Sequence, residues 1–555
     1  MLLPGLKRLR HYPSGWLRQD CLAGVTVAAY LIPQCMAYGE LAGVGPVQGL
    51  WAILPALLIY TLLGMSPQLS MGPESSTAVM TAVAIAPLAA TSDTSYLMLA
   101  SLLACAVGLL CVVGYEARLG FLADLLSKPI LIGYMTGVAV IMIAGQLSRV
   151  SGVPIEAESV AGQLMEFWSH LNQAHGPTLA VGGFVLVFLF AVQARFPRAP
   201  GPLLTVLLVT VMVALLGLDQ QGVRVVGEIP AGLPHFVVPL ASRPEVLQIL
   251  AAAVGIVIVG YSDNVLTARA LAARQGHTID ANQELLALGI ANLGGGLMQG
   301  FPVSSSASRA AIGDSMGSQS QVYSLVAFGV VLGVLLFLRP LLALFTTAAL
   351  GALVIFAATK LVDIPEFLRL RQFRQGDFAL ALATTVGVLA TDLLVGVAIA
   401  VGLSVIELFA RIARPHDAVM GRVPNIPGLH DIKDWPEATT IPGLVIYRYD
   451  APLFFANAAD FKRRALAVVE AEATPVEWLV VNTEAIVEID ITAADALVEL
   501  YEKLRRRGVT LALARVKQDL YAQLKRCGLL DLIGTEHIFF TLPSAIDGFH
   551  QRQQP

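Results

Sequence analysis

Long apolar segments separated by short polar stretches fill the first three quarters of the chain. A hydrocarbon core of ~30 Å requires about 20 predominantly apolar residues in a helix, and segments of roughly that length recur up to residue 414. The pattern therefore predicts a polytopic α-helical membrane protein with 14 spans. Their expected bounds are 21–39, 46–64, 72–90, 96–114, 129–147, 177–196, 200–218, 247–270, 281–298, 303–316, 319–338, 341–358, 378–391 and 393–413.

Two of these spans are interrupted by the same short pattern, a proline followed by a serine cluster. It stands at residues 73–77 (Pro-Glu-Ser-Ser-Thr) and again at residues 302–306 (Pro-Val-Ser-Ser-Ser). Proline lacks an N–H and disfavours helix in the residue before it, so each copy predicts an extended stretch and then a helix beginning near the serines. A helix that begins inside a membrane points free N–H groups and a positive dipole end at the interior, which is typical of an anion site.

The interrupted spans are the third and the tenth, so they hold matching positions in two halves of seven spans each. Because seven is an odd number, the two halves would lie inverted in the membrane. Inverted repeats with broken helices at matching positions indicate a substrate site near the bilayer midplane, where two half-helices converge on one ligand. The sequence thus predicts an anion transporter built from 7+7 inverted repeats with two half-helices.

Charge is concentrated in the last quarter of the chain. Residues 415–555 carry 15 Lys and Arg and 19 Asp and Glu, which are 34 of the 76 charged side chains. Strand-like and helix-like runs alternate there, as in a small α/β layer fold. We therefore expect a cytoplasmic N-terminus (1–20), a transmembrane transport domain (21–414), a linker with an edge element (415–441) and a cytoplasmic α/β domain (442–555).

Composition agrees with this division and excludes several classes of protein. Charged residues make up 14% of the chain and hydrophobic residues 56%, with a mean hydropathy of +0.70, whereas soluble proteins hold about 25% charged residues. A net charge of -4 without a Lys/Arg-rich face gives no electrostatic footprint for nucleic acid. The sequence contains no P-loop, no metal-ligand cysteine spacing and no nucleophile–base set. We expect no cofactor, no metal, no direct use of ATP and no enzymatic activity.

Lys and Arg are enriched in short cytoplasmic loops and so indicate the direction of the spans. Most of them fall on one side of the predicted topology, whereas Arg149, Arg224 and Arg339 fall on the other. This balance predicts a multi-pass protein of the cell inner (plasma) membrane with both termini and the tail in the cytoplasm.

Several motifs make the chain similar to a known family. They are Ala23-Gly24-Val25-Thr26 through Ile32-Pro33-Gln34 to Tyr38, Gly72-Pro73, and Phe301-Pro302-Val303-Ser304 to Ser308-Arg309. With them the chain resembles the SulP family of sulfate permeases and prestin-like anion transporters, and its tail resembles STAS domains. The resemblance implies a core and a gate, an elevator-like motion of the core and a homodimer. The residues of these motifs are most similar to those of bacterial members associated with sulfate uptake. The family also transports bicarbonate, chloride, oxalate and dicarboxylates.

The candidate anion ligands lie around the two interruptions. Arg309, one turn into the second half-helix, would cost at least ~2.5 to 3.5 kcal/mol near the bilayer centre unless it faces a cavity or a partner. We expect it to draw anions into the site; pairing with an acid is the alternative. The other expected ligands are Ser75, Ser76, Ser304, Ser305, Ser306 and Ser308. Serine hydroxyls of these clusters can also cap their own helices.

Two further ligands come from the first span. Gln34 and Tyr38 share one face of that helix. The family resemblance implies that this face lines the substrate site. Taken alone, a tyrosine near a helix end can equally anchor at the membrane interface.

Two acids are candidates for ion coupling. Asp263 is an isolated carboxylate in an apolar helix, where it either ionises next to a cation or takes a proton, and Thr267 lies one turn further along. Proton and sodium coupling are both open, and a structural pair of Asp263 with Arg309 or Arg269 is the alternative. Glu74, at the start of the first half-helix, would be neutralised when an anion arrives, which slightly favours proton symport.

One residue of the tail is a candidate for regulation. Thr492 stands at the start of a predicted helix and can act as its cap. It also matches the position that is phosphorylated in related STAS domains, and a phosphate there would add ~-1.5 to -2 charges.

The function favoured by these features is secondary active uptake of an inorganic anion, with proton-coupled sulfate uptake as the leading hypothesis. The nearest alternative is sodium-coupled bicarbonate uptake on the same scaffold. The other two alternatives are a passive anion channel or exchanger and a non-transporting membrane sensor.

Overall fold

The computed structural model describes residues 3–92, 94–124, 127–157, 159–196, 199–229, 232–276, 278–391 and 393–553. Its contacts divide the chain into two compact units, Met1–Ser404 and Val405–Pro555.

The first half of the membrane unit is almost entirely helical. Several of its helices carry proline in the first turn, where the missing N–H has no intrahelical acceptor to lose. The helices are α1 (Pro4–Arg10), α2 (Leu17–Leu41), α3 (Pro46–Leu63), α4 (Ser75–Thr91), α5 (Tyr96–Glu116), α6 (Lys128–Ser151), α7 (Val160–Ser169), α8 (Gly176–Arg195) and α9 (Gly201–Leu216).

The second half continues in the same way and ends in a helix that crosses the boundary between the units. Its longest helix begins with a capping box, in which Ser242 and Glu245 satisfy each other's backbone N–H groups. The helices are α10 (Arg243–Gln275), α11 (Ala281–Leu297), α12 (Ala307–Ser315), α13 (Val322–Phe337), α14 (Arg339–Ala343), α15 (Thr347–Thr359), α16 (Ile364–Phe373), α17 (Gln375–Ala390) and α18 (Leu393–Ala413).

Each predicted span overlaps a helix of this unit. In the described part of the chain, seven helical segments are long and apolar enough to cross a membrane, and four shorter apolar helices accompany them. Helices α1, α7 and α16 lie outside the predicted spans. The prediction of a helical membrane domain is confirmed.

A short strand lies directly before the first interruption and another lies inside the second, and the two strands pair with each other. Strand β1 (Ser70–Gly72) runs antiparallel to β2 (Ser304–Ser306), with Met71 opposite Ser305. Helix α4 begins at Ser75, as predicted, whereas α12 begins only after the serine cluster, because Ser304, Ser305 and Ser306 are extended. The second half-helix thus follows an extended stretch and begins directly after its serines, four residues after the expected bound at 303. Pairing satisfies backbone groups that the broken helices leave open.

The helices fall into two packing groups. Helix α5 packs closely on α10 and α11, α2 packs on α3, α12 and α13, and α4 packs on α2, α5 and α10. In the other group, α6 packs on α15 and α17, and α8 packs on α9 and α15. The α5–α11 contact requires glycine, since a Cβ on Gly108 would lie 2.7 Å from the backbone oxygen of Gly289.

A buried acid ties three helices of the first group together. Glu284 on α11 is fully buried, and its carboxylate accepts hydrogen bonds from the Tyr60 hydroxyl at 3.0 Å, the Met65 backbone N–H at 2.9 Å and the Asn264 amide at 3.1 Å. Such a network satisfies a charge that would otherwise be costly to bury. It fixes the ends of α3 and α11 against α10, next to the candidate Asp263.

We expect Glu284→Ala to destabilise the membrane unit, because each buried donor left unsatisfied costs about 1–3 kcal/mol. The measurement is thermal unfolding of the purified protein in detergent. Glu116→Ala, at an exposed end of α5, is the matched control and should leave the melting temperature unchanged. An equal melting temperature for both variants would contradict a structural role for Glu284.

The tail unit is built around a sheet of six strands in the order β4-β3-β5-β6-β7-β8. Strands β5 to β8 are parallel, whereas β3 and β4 are antiparallel additions at one edge. The strands are β3 (Asp417–Gly421), β4 (His430–Asp431), β5 (Leu444–Tyr449), β6 (Trp478–Asn482), β7 (Thr510–Ala514) and β8 (Ile538–Phe539). Strands β3 and β4 both lie within residues 415–441, the segment for which a linker with an edge element was expected.

Helices cover both faces of this sheet. Parallel strands buried on both faces are nearly continuous in apolar residues, as β6 and β7 are. The helices are α19 (Ala458–Ala471), α20 (Ile491–Arg506), α21 (Gln518–Arg526), α22 (Leu529–Ile533) and α23 (Leu542–Gln553). The small α/β fold predicted for the tail is confirmed.

Candidate functional site

A cavity of ≈ 260 Å³ lies in the membrane unit between the two packing groups. One wall comes from α2, α4, α10 and α12, and the other comes from α6, α9 and α15. The apolar part of the lining includes Met135, Pro202, Leu353 and Phe356. The polar lining residues are Tyr30, Gln34, Tyr38, Glu74, Ser75, Ser76, Asp263, Ser308 and Lys360.

Helix α2 contributes a stripe of polar side chains to this cavity. Tyr30, Gln34 and Tyr38 are spaced four residues apart, which places them on one helix face. Tyr38 is only 1% exposed, so the alternative of an anchor at the membrane interface is wrong. Tyr30 was not predicted, although the same spacing of four residues could have revealed it.

The first turn of α4 reaches the cavity through Ser75 and Ser76. The residue that precedes the helix is Glu74, and its side chain makes no capping bond with the residues described. The Ser75 hydroxyl donates to Glu74 Oε1 at 3.0 Å. The hypothesis that these serines cap their own helix is therefore wrong, and the helix start at Ser75 faces the cavity.

The second serine cluster is placed differently. The Ser304 hydroxyl donates to the Gly260 carbonyl at 2.7 Å, which ties β2 to α10, and Ser306 Oγ lies 3.2 Å from Ser308 Oγ. The Ser305 hydroxyl is buried without a hydrogen-bond partner among the described residues. Ser306 precedes α12, again without a side-chain cap in the described structure. Of the four predicted serines in this copy, the described cavity lining includes Ser308 alone.

Arg309 is completely buried between the two interruptions. Its Nε donates to Ser70 Oγ at 3.3 Å, and its Nη1 donates to Gln34 Oε1 at 3.2 Å and to the Pro73 carbonyl at 2.9 Å. Nη1 also lies 3.8 Å from Glu74 Oε2. The remaining nitrogen, Nη2, has no hydrogen-bond partner among the described residues. Arg309 thus holds Gln34 and the start of α4 in place, while its Nη2 can still donate hydrogen bonds.

The polar lining of the cavity includes two carboxylates. Asp263 forms neither an ion pair nor a hydrogen bond with any residue that the structure describes, so its proposed pairing with Arg309 or Arg269 does not occur there. Glu74 is the acid nearest to Arg309, although 3.8 Å is long for an ion pair. With both acids ionised, the lining would repel an incoming anion. Neutralising one of them by a proton would relieve this.

Thr267 and Lys360 depart from the sequence prediction. Thr267 lies one turn from Asp263 on α10, and the lining formed by the described residues includes Asp263 but not Thr267. Lys360, directly after α15, lines the cavity and lies 5.1 Å from the Phe356 ring centre. In the predicted topology it belongs to the majority of Lys and Arg residues on the cytoplasmic side, and its position at the end of an apolar helix gave no further signal.

In the tail unit, Thr492 is the second residue of α20 and is exposed. The helix is capped by Asp490, whose side chain accepts from the Ala493 backbone N–H at 2.8 Å. Thr492 is therefore not the cap, and its hydroxyl stays accessible.

Comparison with known proteins agrees with this architecture. The family model described as sulfate permease family matches residues 17–384, and the STAS domain model matches residues 436–545. A probable sulfate transporter of Mycobacterium tuberculosis is 51% identical, over 99% of this chain and 98% of its own. The chloroplastic sulfate transporter 4.1 of Arabidopsis thaliana is 31% identical, over 98% of this chain and 82% of its own.

Solved structures share the fold. Murine solute carrier 26 family member A9, an anion transporter in the inward-facing state, matches with a TM-score of 0.90 at 24% identity, over 99% of this chain and 94% of its own. The transmembrane domain of a cyanobacterial bicarbonate transporter matches with a TM-score of 0.61 at 22% identity, over 71% of this chain and 98% of its own.

The helical membrane domain, the polar cavity between broken helices and the relatives together define an anion transporter, not an enzyme. The chain belongs to the sulfate permease family and carries a C-terminal STAS domain. The family resemblance and the fold class inferred from the sequence are confirmed.

Proposed function

We propose that the protein is a proton-coupled sulfate transporter that moves its substrate by an elevator-like displacement of one packing group against the other. The observation that carries the proposal is Arg309, a fully buried guanidinium with an open Nη2, held beside the first residues of α4. The relatives named as sulfate transporters support sulfate as the substrate.

Anion binding is proposed to use backbone and side-chain donors together. The first N–H groups of α4 lack intrahelical acceptors, and the positive end of the helix favours negative charge. Ser75 and Ser76 at the start of α4 line the cavity, and so does Ser308 at the start of α12. Arg309 adds a full positive charge behind them, because partial dipole charges alone would balance a dianion poorly.

Proton coupling is proposed to rest on Asp263. Sulfate brings two negative charges into a cavity already lined by Asp263 and Glu74. The cations at hand are Arg309 and Lys360, so a proton on one carboxylate reduces the repulsion that the dianion would meet. Asp263 is the better carrier, because Glu74 is already engaged by Ser75 and by Arg309.

The elevator-like motion is supported by the position of the cavity. Its walls belong to two different packing groups, so displacing one group would move the half-helices past α6, α9 and α15. By the Lys and Arg distribution, the Lys360 end of the cavity faces the cytoplasm. We also propose a homodimer in the inner membrane with both termini cytoplasmic, and Thr492 as a regulatory phosphorylation site.

Uptake into proteoliposomes tests this function. Radiolabelled sulfate and bicarbonate are offered with an imposed proton gradient or an imposed sodium gradient. We expect proton-driven accumulation of sulfate. Sodium-driven uptake of bicarbonate would favour the second candidate, which the fold match to a bicarbonate transporter keeps open. Gradient-independent flux would indicate a channel or exchanger, and absence of any flux would indicate a sensor.

A further inference from the structure

A second cavity, of ≈ 410 Å³, lies at the opposite ends of the helices that form the substrate site. Helix α15 shows the relation most clearly, since Thr347 at its start lines the second cavity and Lys360 after its end lines the first. Helix α6 likewise gives Met135, in its first half, to the first cavity and Arg149, in its last turn, to the second. The two linings share no described residue. In the proposed orientation, the second cavity faces the outside.

Two arginines that depart from the charge distribution line this second cavity. Arg149 and Arg224 fall on the side of the predicted topology that is poor in Lys and Arg, and both belong to its lining. His175 lies beside them, with Nδ1 2.8 Å from the Thr178 hydroxyl. The Arg224 side chain is exposed and makes no hydrogen bond or ion pair with the part of the chain that the structure describes.

Arg149 has a partner that an anion can replace. Its Nη2 lies 3.2 Å from Glu40 Oε1, and its Nη1 donates to Gln146 Oε1 at 3.2 Å. The side chains of Arg149 and Glu40 are 34% and 23% exposed, so solvent screens this pair and it contributes little stability. Glu40 belongs to α2 and Arg149 to α6, which lie in different packing groups. The pair therefore joins the two groups at the proposed outer face.

We propose that this cavity is an anion-loading vestibule, in which a small divalent oxyanion binds Arg149 and Arg224 and displaces the Glu40 carboxylate. The guanidinium groups of Arg149 and Arg224 and the carboxylate of Glu40 together carry a net positive charge. This charge attracts external anions before they reach the substrate site. The planar donor fork of arginine matches two oxygens of one oxyanion. Occupation would also loosen the contact between α2 and α6. The proposal rests on the proposed function for its orientation and its substrate.

Binding is tested first, with the full-length protein in detergent and inorganic sulfate as the probe. Calorimetric titration should show two classes of site in the wild type. Arg309→Gln should remove the tighter class and keep the weaker one, and adding Arg149→Gln and Arg224→Gln should remove the weaker one as well. Arg339→Gln, a change on the same predicted face but outside the cavity lining, is the matched control. A single class of site in the wild type that Arg309→Gln abolishes would overturn the vestibule.

Transport kinetics distinguish an anion-loading vestibule from an ion pair that only holds α2 to α6. Arg149→Gln should raise the external sulfate concentration for half-maximal uptake several-fold, whereas Glu40→Gln should lower it, because it removes the carboxylate charge that competes with sulfate for Arg149. If the pair serves only to hold α2 to α6, both variants break it and shift uptake in the same direction, which would refute the proposal. A weaker sulfate class that survives in a protein without transport would leave the vestibule standing and reject the proposed function alone.

Discussion

Arg309→Gln is expected to weaken sulfate binding about 100-fold and to reduce uptake accordingly. Removing one partner of a buried, hydrogen-bonded charge pair costs about 2–5 kcal/mol, and 1.4 kcal/mol corresponds to a factor of ten in Kd. The guanidinium is fully buried, donates to Gln34 and to the Pro73 carbonyl, and keeps Nη2 open. The measurements are sulfate titration of the purified protein and initial uptake rates in liposomes.

The controls separate charge from geometry and from folding. Arg309→Lys keeps the positive charge but loses the planar fork, so we expect an intermediate affinity. A monodisperse elution profile and an unchanged melting temperature are required before Arg309→Gln is interpreted. Wild-type affinity and uptake in such a folded variant would remove Arg309 from the site.

The membrane architecture could be predicted because its physics is local. Apolar length alone places the helices, and proline followed by serines marks the two interruptions. The β1–β2 pairing could not be found in this way, since Ser70–Gly72 and Ser304–Ser306 are far apart in the chain and each is too short to carry an alternating pattern. The same limitation explains why α12 starts later than expected.

The site shows a similar division. Seven of the candidate residues line the cavity, and their roles stay predictions: Gln34, Tyr38, Glu74, Ser75, Ser76, Asp263 and Ser308. Arg309 was expected in the site, and the structure places it behind the lining, where it supports Gln34. The position of Lys360 depends on how α15 packs against α2, and a single sequence carries no signal for such a contact.

The sharpest test of the coupling mechanism is Asp263→Asn. Asp263 lines the cavity without a hydrogen bond or ion pair in the described part of the chain. A half-buried carboxylate that lines a cavity inside the membrane unit is a group that can load and release a proton. Asparagine mimics the loaded state, so the variant should still bind sulfate and exchange one sulfate for another. We expect that an imposed proton gradient drives no net accumulation of sulfate in this variant. The proton-driven part of uptake is then lost completely.

Two companion variants make this result decisive. Glu74→Gln tests the other acid of the cavity and should keep proton-driven accumulation, because Glu74 interacts with Ser75 and Arg309. Thr267→Val removes one hydroxyl and should have little effect under proton coupling, but a large effect if sodium is the ion, since sodium requires several oxygen ligands. Accumulation that survives in Asp263→Asn and is lost in Glu74→Gln would transfer the coupling role to Glu74. If the wild type shows sodium-driven uptake and both Asp263→Asn and Thr267→Val lose it, sodium is the coupling ion. A proton carrier does not require the Thr267 hydroxyl.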